Sequence, residues 1–180
     1  MTAPELETPR LRLAPFRADE AALLHQLWME PPVRRYLWDA QVIPPEQTAE
    51  IVRTSEELFR EHGFGLWSLR LRAAGAQAGA QEDLAGFAGY WHFREPPELE
   101  LLFGLAPVAW GRGLAAEAGR ALLRHAFEDL GFAEVRASTD AANQASVRVL
   151  EKLGMRRERR SEAHGLDTLF YSLRREHWES

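Results

Sequence analysis

Apolar and polar residues change period along the chain, and the changes mark its elements. RLRLAPF at 10–16 alternates like a half-buried strand, and 18–29 then carries Leu23, Leu24, Leu27 and Trp28 at helical spacing. Two Pro pairs, Pro31-Pro32 and Pro44-Pro45, bracket a stretch holding Tyr36 and Trp38. The pattern there predicts an irregular segment before a second helix at about 46–62, which Gly63 closes just past its last turn. GLWSLRLRA (65–73) and DLAGFAGYWHFR (83–94) read as a strand hairpin joined by the small-residue loop AGAQAGAQED. ELELLFGLA (98–106) follows as a strand, then a helix to Leu130, a strand at 133–139, a short helix from Asn143 to Leu153, and strands near 155–162 and 167–174. Helices scattered among strands predict a mixed α/β (α+β) fold, with a sheet of about seven strands flanked by about four helices.

Composition narrows this picture. A chain of 180 residues suits one domain over 1–180, with a core at about 7–178, and 46% hydrophobic with 27% charged residues is a globular balance. No stretch approaches the ~20 apolar residues of a membrane span, and the start MTAPELETPRLRL lacks a signal-peptide layout, so a cytoplasmic protein without a membrane partner is expected. The absence of Cys excludes disulfides, thiolate zinc sites and a Cys nucleophile, and no metal is expected. A net charge of -5 argues against nucleic acid as a partner. One region runs against that balance: Arg148 to Arg160 holds six basic residues against two acidic ones, a solvated face of which part is placed to meet a phosphate.

The stretch PVAWGRGLAAEAGRALL (107–123) leads from a strand into a helix. The first amides of a helix have no intrahelical partner and lie at its positive end, where phosphate binds. Gly111 and Gly113 let a ligand approach the main chain and allow positive φ. The stripe Ala115, Ala118, Gly119, Leu122 and Ala126 equally suits a glycine turn entering a close-packed helix. No GxxxxGK[ST] occurs, so a Walker loop is excluded. Gly111 to Ala116 does satisfy GxGxxA, but the 40 residues after Asp140 are too few to complete a doubly wound dinucleotide fold.

Several segments together resemble the GNAT family of acetyl-CoA-dependent N-acetyltransferases. A strand ending in Pro, LFGLAP, precedes Trp110-Gly111-Arg112-Gly113-Leu114-Ala115, similar to the family's [Gln/Arg]-x-x-Gly-x-[Gly/Ala] signature with Trp at its first position. NQASVRVLEKLGM (143–155) resembles the family's Asn-x-x-[Ala/Ser] leading to Lys-x-Gly-Phe, with Met155 for Phe. TPRLRL, FGLWSL with DLAGFAGY, and DTLFYSLRREHW look like the branch that contains ribosomal-protein N-terminal acetyltransferases. The resemblance implies a splayed, mostly antiparallel sheet with acetyl-CoA wedged between the strand ending at Leu105 and the strand at 133–139. It implies that the backbone of Phe103 and Leu105 pairs with the pantetheine arm. The loop and helix start from Trp110 through Arg112, Leu114, Ala115 and Ala116 hold the pyrophosphate through backbone amides, and Asn143 contacts the cofactor. Asn143 is equally placed to cap its own helix.

Acetyl transfer to an amine needs a proton acceptor, a donor for the developing oxyanion and a proton source for the departing thiolate. Leu150 stands where many family members have an acidic Tyr, so the resemblance passes the sulfur-facing role to Ser146; a local backbone bond at the third helical position is the other use for that hydroxyl. On the strand ELELLFGLA, Glu98 and Glu100 share a face with Leu102 and Gly104, and Glu100, lying deeper, is the expected base, with Glu162 and His164 as alternatives. Tyr36 and Trp38 are expected on the acceptor side. The expected partner is an amine, a small molecule or a protein N-terminus, with monomer and homodimer both open. A non-catalytic acyl-CoA sensor is the rival reading.

Overall fold

The computed structural model describes residues 3–72, 83–92, 99–163 and 165–178. Eight strands, β1 (Leu6–Glu7), β2 (Leu11–Pro15), β3 (Leu66–Leu71), β4 (Leu84–His92), β5 (Leu99–Leu105), β6 (Glu134–Asp140), β7 (Arg156–Ala163) and β8 (Leu166–Arg174), form one sheet in the order β1-β2-β3-β4-β5-β6-β8-β7. Neighbours pair antiparallel except β5 and β6, which run parallel. Most of the loop expected between β3 and β4 lies outside the described residues.

Five helices cover the sheet: α1 (Ala21–Met29), α2 (Pro31–Leu37), α3 (Pro45–His62), α4 (Leu114–Arg124) and α5 (Gln144–Lys152). The strand count is one above the sequence expectation because β1 has two residues, too few to show alternation. The helix count is one above because 31–37 is helical rather than irregular. Pro31 and Pro32 occupy the first turn, where the missing N–H groups have no intrahelical partner in any case. The chain breaks after this helix instead, where Asp39 and Ala40 take left-handed backbone with φ of 50° and 63°. The helix expected to run to Leu130 is regular only to Arg124 and continues as a π-helical turn, His125–Asp129, closed by Leu130 N–H donating to the His125 carbonyl at 3.0 Å.

The period-two pattern of β5 sends its side chains into two cores. Leu99, Leu101, Phe103 and Leu105 join the cluster built on α4 and α5, with Leu114, Ala118, Leu122 and Leu150, while Leu102 joins Trp28, Val33, Val52 and Phe87 beneath α1 to α3. Small residues bring α4 and α5 together: a Cβ on Gly119 would lie 2.6 Å from Leu153 Cδ1. No described helix is long and apolar enough to cross a membrane.

Candidate active site

Registered pairing between the parallel strands β5 and β6 is confined, among the described residues, to Glu100 opposite Arg136. Both strands then run toward their C-terminal ends along the walls of a cleft of about 720 Å³, lined by Leu101 to Leu105 on one side and Ser138 to Asp140 on the other. A parallel sheet that parts in its middle leaves main-chain groups facing the gap, where a ligand strand can bond to them. Phe103 and Leu105 lie on this open stretch. The Leu105 carbonyl already accepts a hydrogen bond from Trp110 Nε1 at 2.8 Å.

At the end of β5 a single turn, Pro107–Ala109, leads to Trp110, Gly111 and Gly113, and α4 starts at Leu114. Both glycines take left-handed backbone, φ 72° and 76°, which a side chain would strain. Gly111 lines the cleft and has no atom within 4 Å of the place a Cβ would occupy, so the space beside its main chain is open. The N–H groups of 111–116 have no main-chain carbonyl partner among the described residues. Trp110, Gly111, Gly113, Leu114, Ala115 and Ala116 all line the cleft, and Arg112 does not; its carbonyl accepts from Arg10 Nη1 at 2.8 Å. The stretch thus has the form that an anion with closely spaced oxygens needs: converging unpaired amides at the positive end of a helix.

Across the cleft, Asn143 caps α5, its Oδ1 accepting from the Ser146 N–H at 3.2 Å. That leaves the side-chain NH₂ available to a ligand, since Asn143 also lines the cleft. The Ser146 hydroxyl has no protein hydrogen-bond partner among the described residues, so it is not engaged in a local backbone bond, and Ser146 lines the cleft beside Leu150. Of the basic run at 148–160, Arg148 and Lys152 line the cleft. Arg160 instead pairs with Asp167, and the Arg159 guanidinium lies 3.6 Å from the centre of the Phe170 ring.

Glu100 sits where the strands part. It is only 3% exposed and accepts a hydrogen bond from Ser138 Oγ at 2.5 Å. Asp140, Asp39, Tyr36 and Thr168 also line the cleft. Burial, and then the charges of Asp39 and Asp167, hold the Asp140 carboxyl above its usual range. Trp38 is elsewhere: its ring packs against Trp28 at 5.7 Å, in the core under α1 to α3, and it does not line the cleft. Glu162 is exposed near the end of β7 and does not line it either; Glu98 and His164 lie outside the described residues. Sequence reasoning passed over Ser138, Asp140 and Asp39. Period two on β6 puts Ser138 and Asp140 on one face, but which strand lies beside β6 is settled only by the fold. Among the described residues no three His, Asp or Glu side chains converge as a metal site.

Comparison with known proteins gives the family to which this fold belongs. A family model described as an acetyltransferase (GNAT) domain matches residues 10–156, and the chain belongs to this family of acetyltransferases. It is similar to the uncharacterized protein YkkB of Bacillus subtilis, 30% identical over 154 residues that cover 84% of each chain. It is also similar to an FsC-acetyl coenzyme A-N(2)-transacetylase of Aspergillus fumigatus, 27% identical over 84% of this chain and 65% of that longer protein. The fold matches that of RimL, a ribosomal-protein alpha-N-acetyltransferase solved in complex with coenzyme A, with a TM-score of 0.75, 17% identity and coverage of 95% of this chain and 98% of that one.

Proposed function

We propose that the protein transfers an acetyl group from acetyl-CoA to a primary amine, with both substrates held together in the cleft between β5 and β6. The observation that carries this reading is the row of unpartnered amides from Gly111 to Ala116, which all belong, Arg112 excepted, to residues on the wall of that cleft. These amides would hold the pyrophosphate, the open edge of β5 at Phe103 would pair with the pantetheine arm, and the NH₂ of Asn143 would add a side-chain contact. Acetyl-CoA supplies an activated acetyl thioester.

The remaining residues divide the proton work. Ser146, with its free hydroxyl on the cleft wall, gives a proton to the sulfur that departs. Glu100, poised by Ser138, accepts the proton that the amine loses, through water, and a main-chain N–H of β5 donates to the carbonyl oxygen as its charge develops. The charged side chains on the cleft suit both substrates: Arg148 and Lys152 on α5 would attract the phosphates, and Glu100, Asp39 and Asp140 would attract a cationic amine. Likeness to a ribosomal-protein alpha-N-acetyltransferase puts a protein N-terminal α-amine first among acceptors, with small amines next.

Release of free thiol from acetyl-CoA, measured against a panel of peptides and small amines, tests the reading. Ser146→Ala and Glu100→Gln are each expected to lower kcat by about 10²-fold, the usual contribution of a positioned acid or base, with the Kd for acetyl-CoA nearly unchanged. Full turnover in both variants would remove the assigned roles.

A further inference from the structure

The TPR segment that opens β2 does not touch the cleft, yet it reaches the phosphate cradle from behind. Thr8 Oγ1 donates to Glu117 Oε1 at 2.6 Å, and the Arg10 main-chain N–H donates to the same oxygen at 2.9 Å. Arg10 Nε and Nη2 meet Glu117 Oε2 at 2.6 and 2.5 Å. The remaining arm of the same guanidinium, Nη1, donates to the Arg112 carbonyl, in the loop between the two glycines. Thr8 is itself fixed, because its hydroxyl accepts from the Leu11 N–H at 2.9 Å and its carbonyl accepts from Arg72 Nη1 at 2.8 Å.

Two consequences follow from these contacts. Glu117 lies in the first turn of α4, where a bare carboxylate would oppose an incoming phosphate. A helix N-terminus carries roughly +0.5 of a charge, so one unpaired carboxylate beside it would more than cancel its attraction for an anion. Arg10 neutralises that charge: the fork of Nε and Nη2 closes on Oε2 while the Arg10 main-chain N–H and the Thr8 hydroxyl fill Oε1, so the helix field remains available. The bond to the Arg112 carbonyl acts on the other half of the problem. A main-chain carbonyl turned toward the ligand would repel phosphate oxygens, and Arg10 holds it on the side away from the cleft. Burial pushes the Glu117 carboxyl up, but the hydrogen bonds from Thr8 and Arg10 and the guanidinium charge outweigh it and leave it below its usual range.

We infer that Arg10, with Thr8 and Glu117, is a positioning device for the phosphate cradle: it neutralises the start of α4 and fixes the Gly111–Gly113 loop with its amides toward the ligand. The inference rests on the acetyl-CoA reading of the cleft. It predicts that the brace matters for the nucleotide end of the cofactor and not for the pantetheine arm, which a staple serving stability alone would not distinguish.

The test compares the Kd of CoA with that of pantetheine, which shares the arm but lacks the pyrophosphate, in wild type, Arg10→Gln and Arg10→Lys. Both variants are expected to weaken CoA by roughly tenfold, the scale of one lost charge-assisted hydrogen bond, while the pantetheine Kd stays as in wild type. Arg10→Lys keeps the charge and the fold if Arg10→Gln unfolds, but cannot make the fork and the carbonyl bond together. Equal losses for both ligands, or no loss for either, would overturn the brace. Failure of the wild type to bind CoA would instead overturn the reading on which it rests.

Discussion

Asp140 shows how the wall of the cleft is tuned at the scale of single residues. Its carboxyl is partly desolvated and faces the charges of Asp39 and Asp167, which raise its pKa in the folded state above the ordinary 3.8. A raised carboxyl binds its proton more tightly folded than unfolded. Its contribution to stability is therefore fully present below the unfolded pKa and is lost as pH rises through the folded one. Asp140→Asn is expected to raise Tm at neutral pH, with the gain shrinking as pH falls toward the carboxylate range; thermal unfolding followed by circular dichroism across that range checks it. A gain of equal size at every pH would contradict the charge-based account. At this scale legibility in the sequence was uneven. Gly111 and Gly113 stood out because the cradle works through backbone, and backbone exposure needs glycine, whereas Ser138 looked like any polar residue on a strand until the fold set it against Glu100.

At the scale of elements, local chemistry foretold most boundaries and missed those that depend on a partner. The Pro pair at 31–32 reads as a breaker in sequence, yet helps to start α2, because proline suits a first turn and α2 has a core to cover through Val33. The π-helical turn at 125–129 has no sequence signal; it coincides with His125 reaching the Asp129 carboxylate and the Gly63 carbonyl. The contact between α4 and α5 was partly legible as a small-residue stripe. What the stripe meets, Leu153 against Gly119, was not. Since α5 carries Asn143 and Ser146, its seat on α4 sets the width of the cleft. Gly119→Val is expected to destabilise the protein by about 1 to 3 kcal/mol through overpacking, measurable by urea denaturation, and to weaken acetyl-CoA binding through the shift of α5. An unchanged denaturation midpoint would show that the helices can part freely.

For the molecule as a whole, the organising fact is that a largely antiparallel sheet contains one parallel pair, β5 and β6, and that the pair separates beyond Glu100 and Arg136. One wall of the opening ends in a glycine loop and a helix start, the other in a capped helix with an unengaged serine hydroxyl, and a buried carboxylate lies at the fork. Sequence order alone carried the strands and helices, and the two signature segments carried the resemblance to the family. Glu100 was singled out there, but neither the two-sided core nor the place of Asp39 and Asp140 on the cleft was visible, because both arise where segments far apart in sequence meet. The central claim is that this cleft holds acetyl-CoA by its pyrophosphate. Calorimetric titration of the purified protein with acetyl-CoA, CoA and NAD tests it most directly. One site that takes acetyl-CoA and CoA and ignores NAD is the predicted result; binding of NAD without binding of either CoA species would contradict it.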